Sequence, residues 1–207
     1  MSKLVKVGGF LGSLLILGLV SGCASLNGDA PFRYQPALMP VNKTIDKVAG
    51  LNLIIDKRPE GDIAYTKKIK DIPDKITSKL LEDFDKSKIF KDIHYPVRDT
   101  DDLVIDATLN RFMWKLYVKG WVYVPYLGLF LEIVGVLCGT LYGVADITLE
   151  VRDVKSGAVV GTFNETSMVK NAYTIYNTPA GDAGAELADA LRDVVKKLKI
   201  AILNKIN

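Results

Sequence analysis

The run LVIDATLNRFMWKLYV at 103–118 alternates apolar and polar side chains and changes parity halfway. Leu103, Ile105, Ala107 and Leu109 form the first apolar set; Phe112, Trp114, Leu116 and Val118 form the second. Period-two alternation belongs to a strand with one buried face. A parity change turns that face over unless an extra residue is inserted. The pattern therefore predicts a β-bulge near Asn110-Arg111, or a strand that leaves its sheet there. Alternation returns from Ala145 to Asp153, with Ile147, Leu149 and Val151 on one side and Thr148, Glu150 and Arg152 on the other. Lys155-Ser156-Gly157 reads as a hairpin turn and Val159–Lys170 as the returning strand.

The remaining elements frame this hairpin. Leu51–Ile55 (LNLII) reads as a buried strand ending in the charged turn Asp56-Lys57-Arg58-Pro59. Residues 73–87 read as a helix, with Pro73 in its first turn and Ile76, Leu80, Leu81 and Phe84 on one face. A strand over Ile89–Tyr95 ends before Pro96. A closing helix over 182–204 carries the stripe Leu187, Leu191, Val194, Val195, Leu198 and Ile202. Its Lys196, Lys197, Lys199 and Lys205 read as cations favoured by the helix dipole. The order predicts an α+β fold: a mostly antiparallel sheet with helices packed on one face, in a single domain over 47–207.

Charge and composition exclude several functions. The 27 basic residues face 24 acidic ones without a basic block, so no nucleic-acid partner is expected. One histidine and two cysteines leave no set of zinc ligands and no disulfide framework. There is no G-x-S-x-G, H-E-x-x-H or phosphate-loop motif, so no catalytic residue, metal, cofactor or small-molecule substrate is expected. His94 lacks an obvious nucleophile and reads as a strand-end side chain. Asp99, Asp101 and Asp102 read as a solvated turn, because the glycine and distal glutamate of a calcium loop are missing.

The amino terminus reads as an address. Lys3 and Lys6 precede an uncharged, mostly apolar run, Val7–Val20, which is short for a membrane span. Val20-Ser21-Gly22-Cys23 follows and resembles the bacterial lipobox. The resemblance implies a signal peptide over 1–22, cleavage before Cys23 and acylation of that cysteine, the covalent lipid being the only added group. Residues 23–46, with Pro31, Pro36 and Pro40, read as a flexible tether. Ala24 in place of aspartate resembles an outer-membrane sorting signal. Loss of Lys3 and Lys6 leaves 25 basic against 24 acidic side chains, which gives no electrostatic pull toward an anionic partner. Cys138 lies in an apolar run and reads as an inert buried thiol.

Trp121–Ala145 holds 25 residues and one charge, Glu132. Gly135, Gly139 and Gly143 recur every fourth residue, which on a helix places them on one face open to a second backbone. Trp121, Tyr123 and Tyr126 stand at its front edge, where aromatic residues with polar tips suit a lipid boundary. Three readings are open: a buried helical or hairpin insert, a membrane-dipping element, and an oligomer or partner interface. The named aromatic residues and glycines are the candidate contacts.

The motifs LNLIIDKRP at 51–59, SKIFKDI at 87–93, DLVIDATL at 102–109 and VRDVKSGAVVGTF at 151–163 resemble a group of small bacterial envelope lipoproteins. The body is similar to the amino-terminal domain of TolB and to the periplasmic domain of the curli-secretion lipoprotein. The insert departs from the simplest of these. What the resemblance implies is a non-enzymatic lipoprotein on the periplasmic face of the outer membrane, an accessory or scaffold in envelope assembly or transport. Its expected partners are the membrane and an envelope protein or a second copy of itself. The rival expectation is a membrane-inserting oligomer, a pore or secretion-channel subunit, built through 112–145; a carrier of a lipidic ligand is a third.

Overall fold

The structure, a computed structural model, describes residues 34–38, 43–67, 69–174, 176 and 183–206. The signal segment 1–22 and Cys23 lie outside the described residues. In chain order the elements are β1 (Ile45–Leu51), β2 (Ile55–Asp56), α1 (Glu60–Tyr65), α2 (Ile72–Lys86), β3 (Phe90–His94), β4 (Leu103–Val118), a 3-10 turn (Gly120–Tyr123), α3 (Leu127–Ile133), β5 (Gly139–Asp153), β6 (Val159–Tyr173) and α4 (Ala183–Ile206). The fold is α+β, with one open sheet in the order β3-β1-β4-β5-β6, and β2 following β1 alongside β4. The long pairs β4–β5 and β5–β6 are antiparallel. The short pairs β1–β3, β1–β4 and β2–β4 are parallel. That mixture follows from the connections: the turn at 154–158 and the longer excursion at 119–138 reverse direction, whereas the crossover through α1 and α2 returns the chain parallel to β1.

The parity change in β4 is a bulge. Leu109 lies opposite Ile147, Arg111 lies opposite Asp146, and the register shifts between them. Asn110 is the extra residue, and its amide donates to Asp146 Oδ1 and Thr148 Oγ1, both at 2.8 Å. The insertion cancels the parity change, so Phe112 stays on the core side with Leu103, Ile105, Ala107 and Leu109. One sheet face therefore carries the core along with Ile76, Leu80 and Phe84 of α2 and Leu191, Val194 and Leu198 of α4. Asp106, Thr108, Thr148 and Glu150 stay half-exposed on the other face.

Three local expectations are corrected. LNLII is not one strand: β1 ends at Leu51 and β2 begins at Ile55. Between them Ile54 turns into the core and its N–H donates to Thr77 Oγ1 of α2 at 3.0 Å, which leaves Leu53 and Ile55 exposed. Asp101 is buried, not solvated; it accepts from the Arg98 N–H at 2.7 Å and contacts His94 Nε2 at 2.7 Å. Asp102 accepts from the Val48 N–H at 3.0 Å. The turn before β4 is thus braced from within, and His94 is one of its braces.

Lys199 is the third correction, because it is not a surface cation. It lies on the core side of α4 with a fully buried side chain, paired with the equally buried Asp83 of α2. It also donates to Ser87 Oγ at 2.9 Å and to the carbonyl of Ala37. The second Asp83 oxygen accepts from the Tyr34 hydroxyl and from the Ala37 N–H at 2.8 Å. Burial, then the Asp83 carboxylate, push the Tyr34 hydroxyl well above the usual tyrosine range. Residues 34–38 were expected in the tether, yet they are clasped to both long helices, and β1 already begins at Ile45. Removing one member of a buried ion pair leaves the other uncompensated, at about 3–5 kcal/mol. Lys199→Met is expected to lower unfolding stability by about that amount in urea denaturation. Adding Asp83→Asn should recover part of the loss, because an amide needs no counterion.

Candidate membrane- or partner-facing site

The site is built where β4, β5 and β6 run past the helical layer. Trp114, Gly143 and Val169 form one rung, and Val118, Gly139 and Tyr173 form a rung four residues further on. The N–H of Lys119 donates to the Cys138 carbonyl and the N–H of Cys138 to the Tyr173 carbonyl, each at 2.8 Å. Those bonds hold the base of the β4–β5 connection to β6. Above it the chain makes the 3-10 turn and then α3. The two pack directly: a Cβ on Gly128 would lie 2.7 Å from the Val122 carbonyl oxygen. Gly135 ends the helix with φ +79°, its N–H bonded to the Glu132 carbonyl at 2.9 Å. From beyond β6, the Tyr176 hydroxyl donates to the Ile133 carbonyl.

This connection is an exposed apolar tip. Tyr126 is 85% exposed, Tyr123 73% and Phe130 61%. Val124, Leu127, Ile133, Val134 and Leu137 are exposed as well. The buried-insert reading is thereby overturned for 123–137. The reason is geometric: the tip lies beyond the end of the sheet, where no described helix covers it. No helix among the described residues is long and apolar enough to cross a membrane.

The helical glycine face is also corrected. Gly135 sits in the turn after α3, whereas Gly139 and Gly143 lie in β5. A spacing of four keeps two residues on one face in a strand as well as in a helix. Here that face is the core face. A Cβ on Gly139 would lie 2.2 Å from the Tyr117 carbonyl oxygen and 2.5 Å from the Tyr173 ring. One on Gly143 would lie 2.3 Å from the Glu186 carbonyl oxygen. Both glycines admit neighbouring groups of this chain. Cys138 is buried as expected, its thiol 3.6 Å from the Val136 carbonyl.

Of the expected contact residues, Trp121, Tyr123, Tyr126 and Gly135 meet on the tip, whereas Gly139 and Gly143 do not. The outer face below the tip adds residues that pattern-reading missed. Lys115, Tyr142 and Lys170 form a cross-strand row, with Lys170 Nζ 5.6 Å from the centre of the Tyr142 ring. With Lys119 they make a collar that forms no salt bridge among the described residues, and Glu132 is the single acid on the tip. The outer-face parity of Lys115 and Lys170 was a usable signal, but their pairing across β5 needed the register.

The sequence matches no protein-family model and no curated protein. Solved structures do match. A Xanthomonas campestris protein of the DUF330 family aligns with 83% of this chain and 93% of its own at 12% identity, with a TM-score of 0.53. That likeness shows a shared fold. A PelC dodecamer from Paraburkholderia phytofirmans aligns with 81% of this chain and 94% of its own at 17% identity, with a TM-score of 0.41. A minor lipoprotein from Acinetobacter baumannii aligns with 76% of this chain and 93% of its own at 9% identity, with a TM-score of 0.40.

Gly143→Ala tests the close approach of α4 to the sheet. Overpacking a fitted contact destabilises by about 1–3 kcal/mol, and a loss of that size in thermal or urea unfolding is expected. Gly128→Ala strains only the tip, so the melting temperature should hold while Trp121 fluorescence shifts.

Proposed function

We propose that this chain is a lipid-anchored protein of the bacterial envelope, without enzymatic activity, that acts as an accessory or scaffold on the periplasmic face of the outer membrane. The observation that carries the reading is the exposed tip. Large contiguous apolar surfaces on a folded domain mark sites that something else covers. Here the apolar surface is gathered at one end of a sheet whose outer face carries Asp106, Thr108, Thr148 and Glu150 toward the other end. The motif Val20-Ser21-Gly22-Cys23 supports the anchor, and Ala24 supports outer-membrane sorting. Two or more acyl chains on Cys23 would hold the protein firmly, at about 0.8 kcal/mol per buried methylene. The rival, an oligomer built through 112–145, loses one support, because Gly139 and Gly143 lie in a strand and not on a helical face.

Growth of a Gram-negative expression host with labelled palmitate tests the anchor. The wild-type chain should take up label and fractionate with the outer membrane. Cys23→Ala should lose the label and keep its signal segment, and Ala24→Asp should shift the labelled protein to the inner membrane. An unlabelled wild-type chain would overturn the reading.

A further inference from the structure

We infer that the tip is a second membrane contact: a shallow insertion device for an anionic lipid surface, on the bilayer that carries the chain's own anchor. The choice of bilayer rests on the proposed acylation of Cys23; the lipid contact itself does not.

Chemistry and shape argue for lipid as the occupant. Leu127, Phe130, Ile133 and Val134 of the tip are apolar and exposed. Trp121, Tyr123 and Tyr126 join an apolar body to a polar edge, which suits the headgroup boundary. Lys115, Lys119 and Lys170 follow below, at the level where lipid phosphates would lie, and Glu132 is the one opposing charge on the tip. An apolar, aromatic-edged tip beside a basic collar matches the chemistry of an anionic leaflet. The seven residues of α3 span only about 10 Å, so the tip enters one leaflet and does not cross.

The test uses the chain carrying Cys23→Ala and Trp114→Phe, exported behind an ordinary cleavable signal in place of residues 1–22, so that neither acyl chain nor signal segment remains and Trp121 is the one remaining tryptophan. It is mixed with vesicles of phosphatidylethanolamine and phosphatidylglycerol, or of phosphatidylcholine, with brominated acyl chains. Flotation with the anionic vesicles and quenching of Trp121 by the bromines are expected. Phe130→Ser should weaken binding by about tenfold or more. Lys115→Gln and Lys170→Gln should each weaken it by roughly fivefold on anionic vesicles and leave phosphatidylcholine binding unchanged. Phe130→Leu should bind like the parent, which separates an apolar requirement from misfolding. No flotation with unquenched Trp121 would overturn the inference, as would a soluble oligomer that Phe130→Ser disperses, because a second copy would then cover the tip. Vesicle binding by this chain together with absent palmitate label on the wild type would sink the anchor and leave the lipid contact standing.

Discussion

The pairing of Leu103–Val118 with Gly139–Asp153 is longer than the helical layer can cover, and the rest of the molecule is arranged around that mismatch. Fifteen strand residues extend about 50 Å, whereas the 24 residues of α4 extend about 36 Å. The helix begins near Gly143, so the sheet overhangs at the β4–β5 connection. Backbone hydrogen bonds hold the ladder to its last rung, and no described helix covers the connection beyond it. An apolar segment placed there stays exposed. The bulge at Asn110 makes the long ladder possible, because it keeps the apolar residues before and after it on one face. Its amide also closes a polar cluster with Asp146, Thr148 and Asn164 on the opposite face.

The buried pair of Lys199 and Asp83 ties a second feature to this frame. It joins the two long helices and gathers the backbone of Ala37 and the hydroxyl of Tyr34 around the same carboxylate. Such a pair is a poor source of stability against an apolar alternative but an intolerant one once made. Its effect is positional. The chain that leads back toward Cys23 leaves the body from a defined place, on the α4 side of the sheet.

Much of the fold was legible because it rests on short-range pattern. Ile76, Leu80 and Phe84 recur at helical spacing, and α2 runs Ile72–Lys86 against an expected 73–87. The parity change marked the place of the bulge at Asn110-Arg111, and the register chose it over a strand that leaves its sheet. The errors fell where a residue answered to a distant partner. Lys199 looked like a helix-end cation because Asp83 is 116 residues away. Asp101 looked solvated because the fold that buries it beneath the β1–β3 edge is long-range. Gly139 and Gly143 looked like a helical zipper because a spacing of four fits both periods.

The sequence alone determined the class of each long element, the one-sided core and the presence of an apolar segment between two strands. These depend on alternation and spacing, which act over a few residues. Only the tertiary structure decided where that segment goes. Period and composition describe a side chain's neighbours along the chain. Burial depends on whether another element reaches across to cover it. At the end of β4 and β5 none of the described elements does, and so the same apolar residues that read equally as core, membrane contact or interface stand exposed.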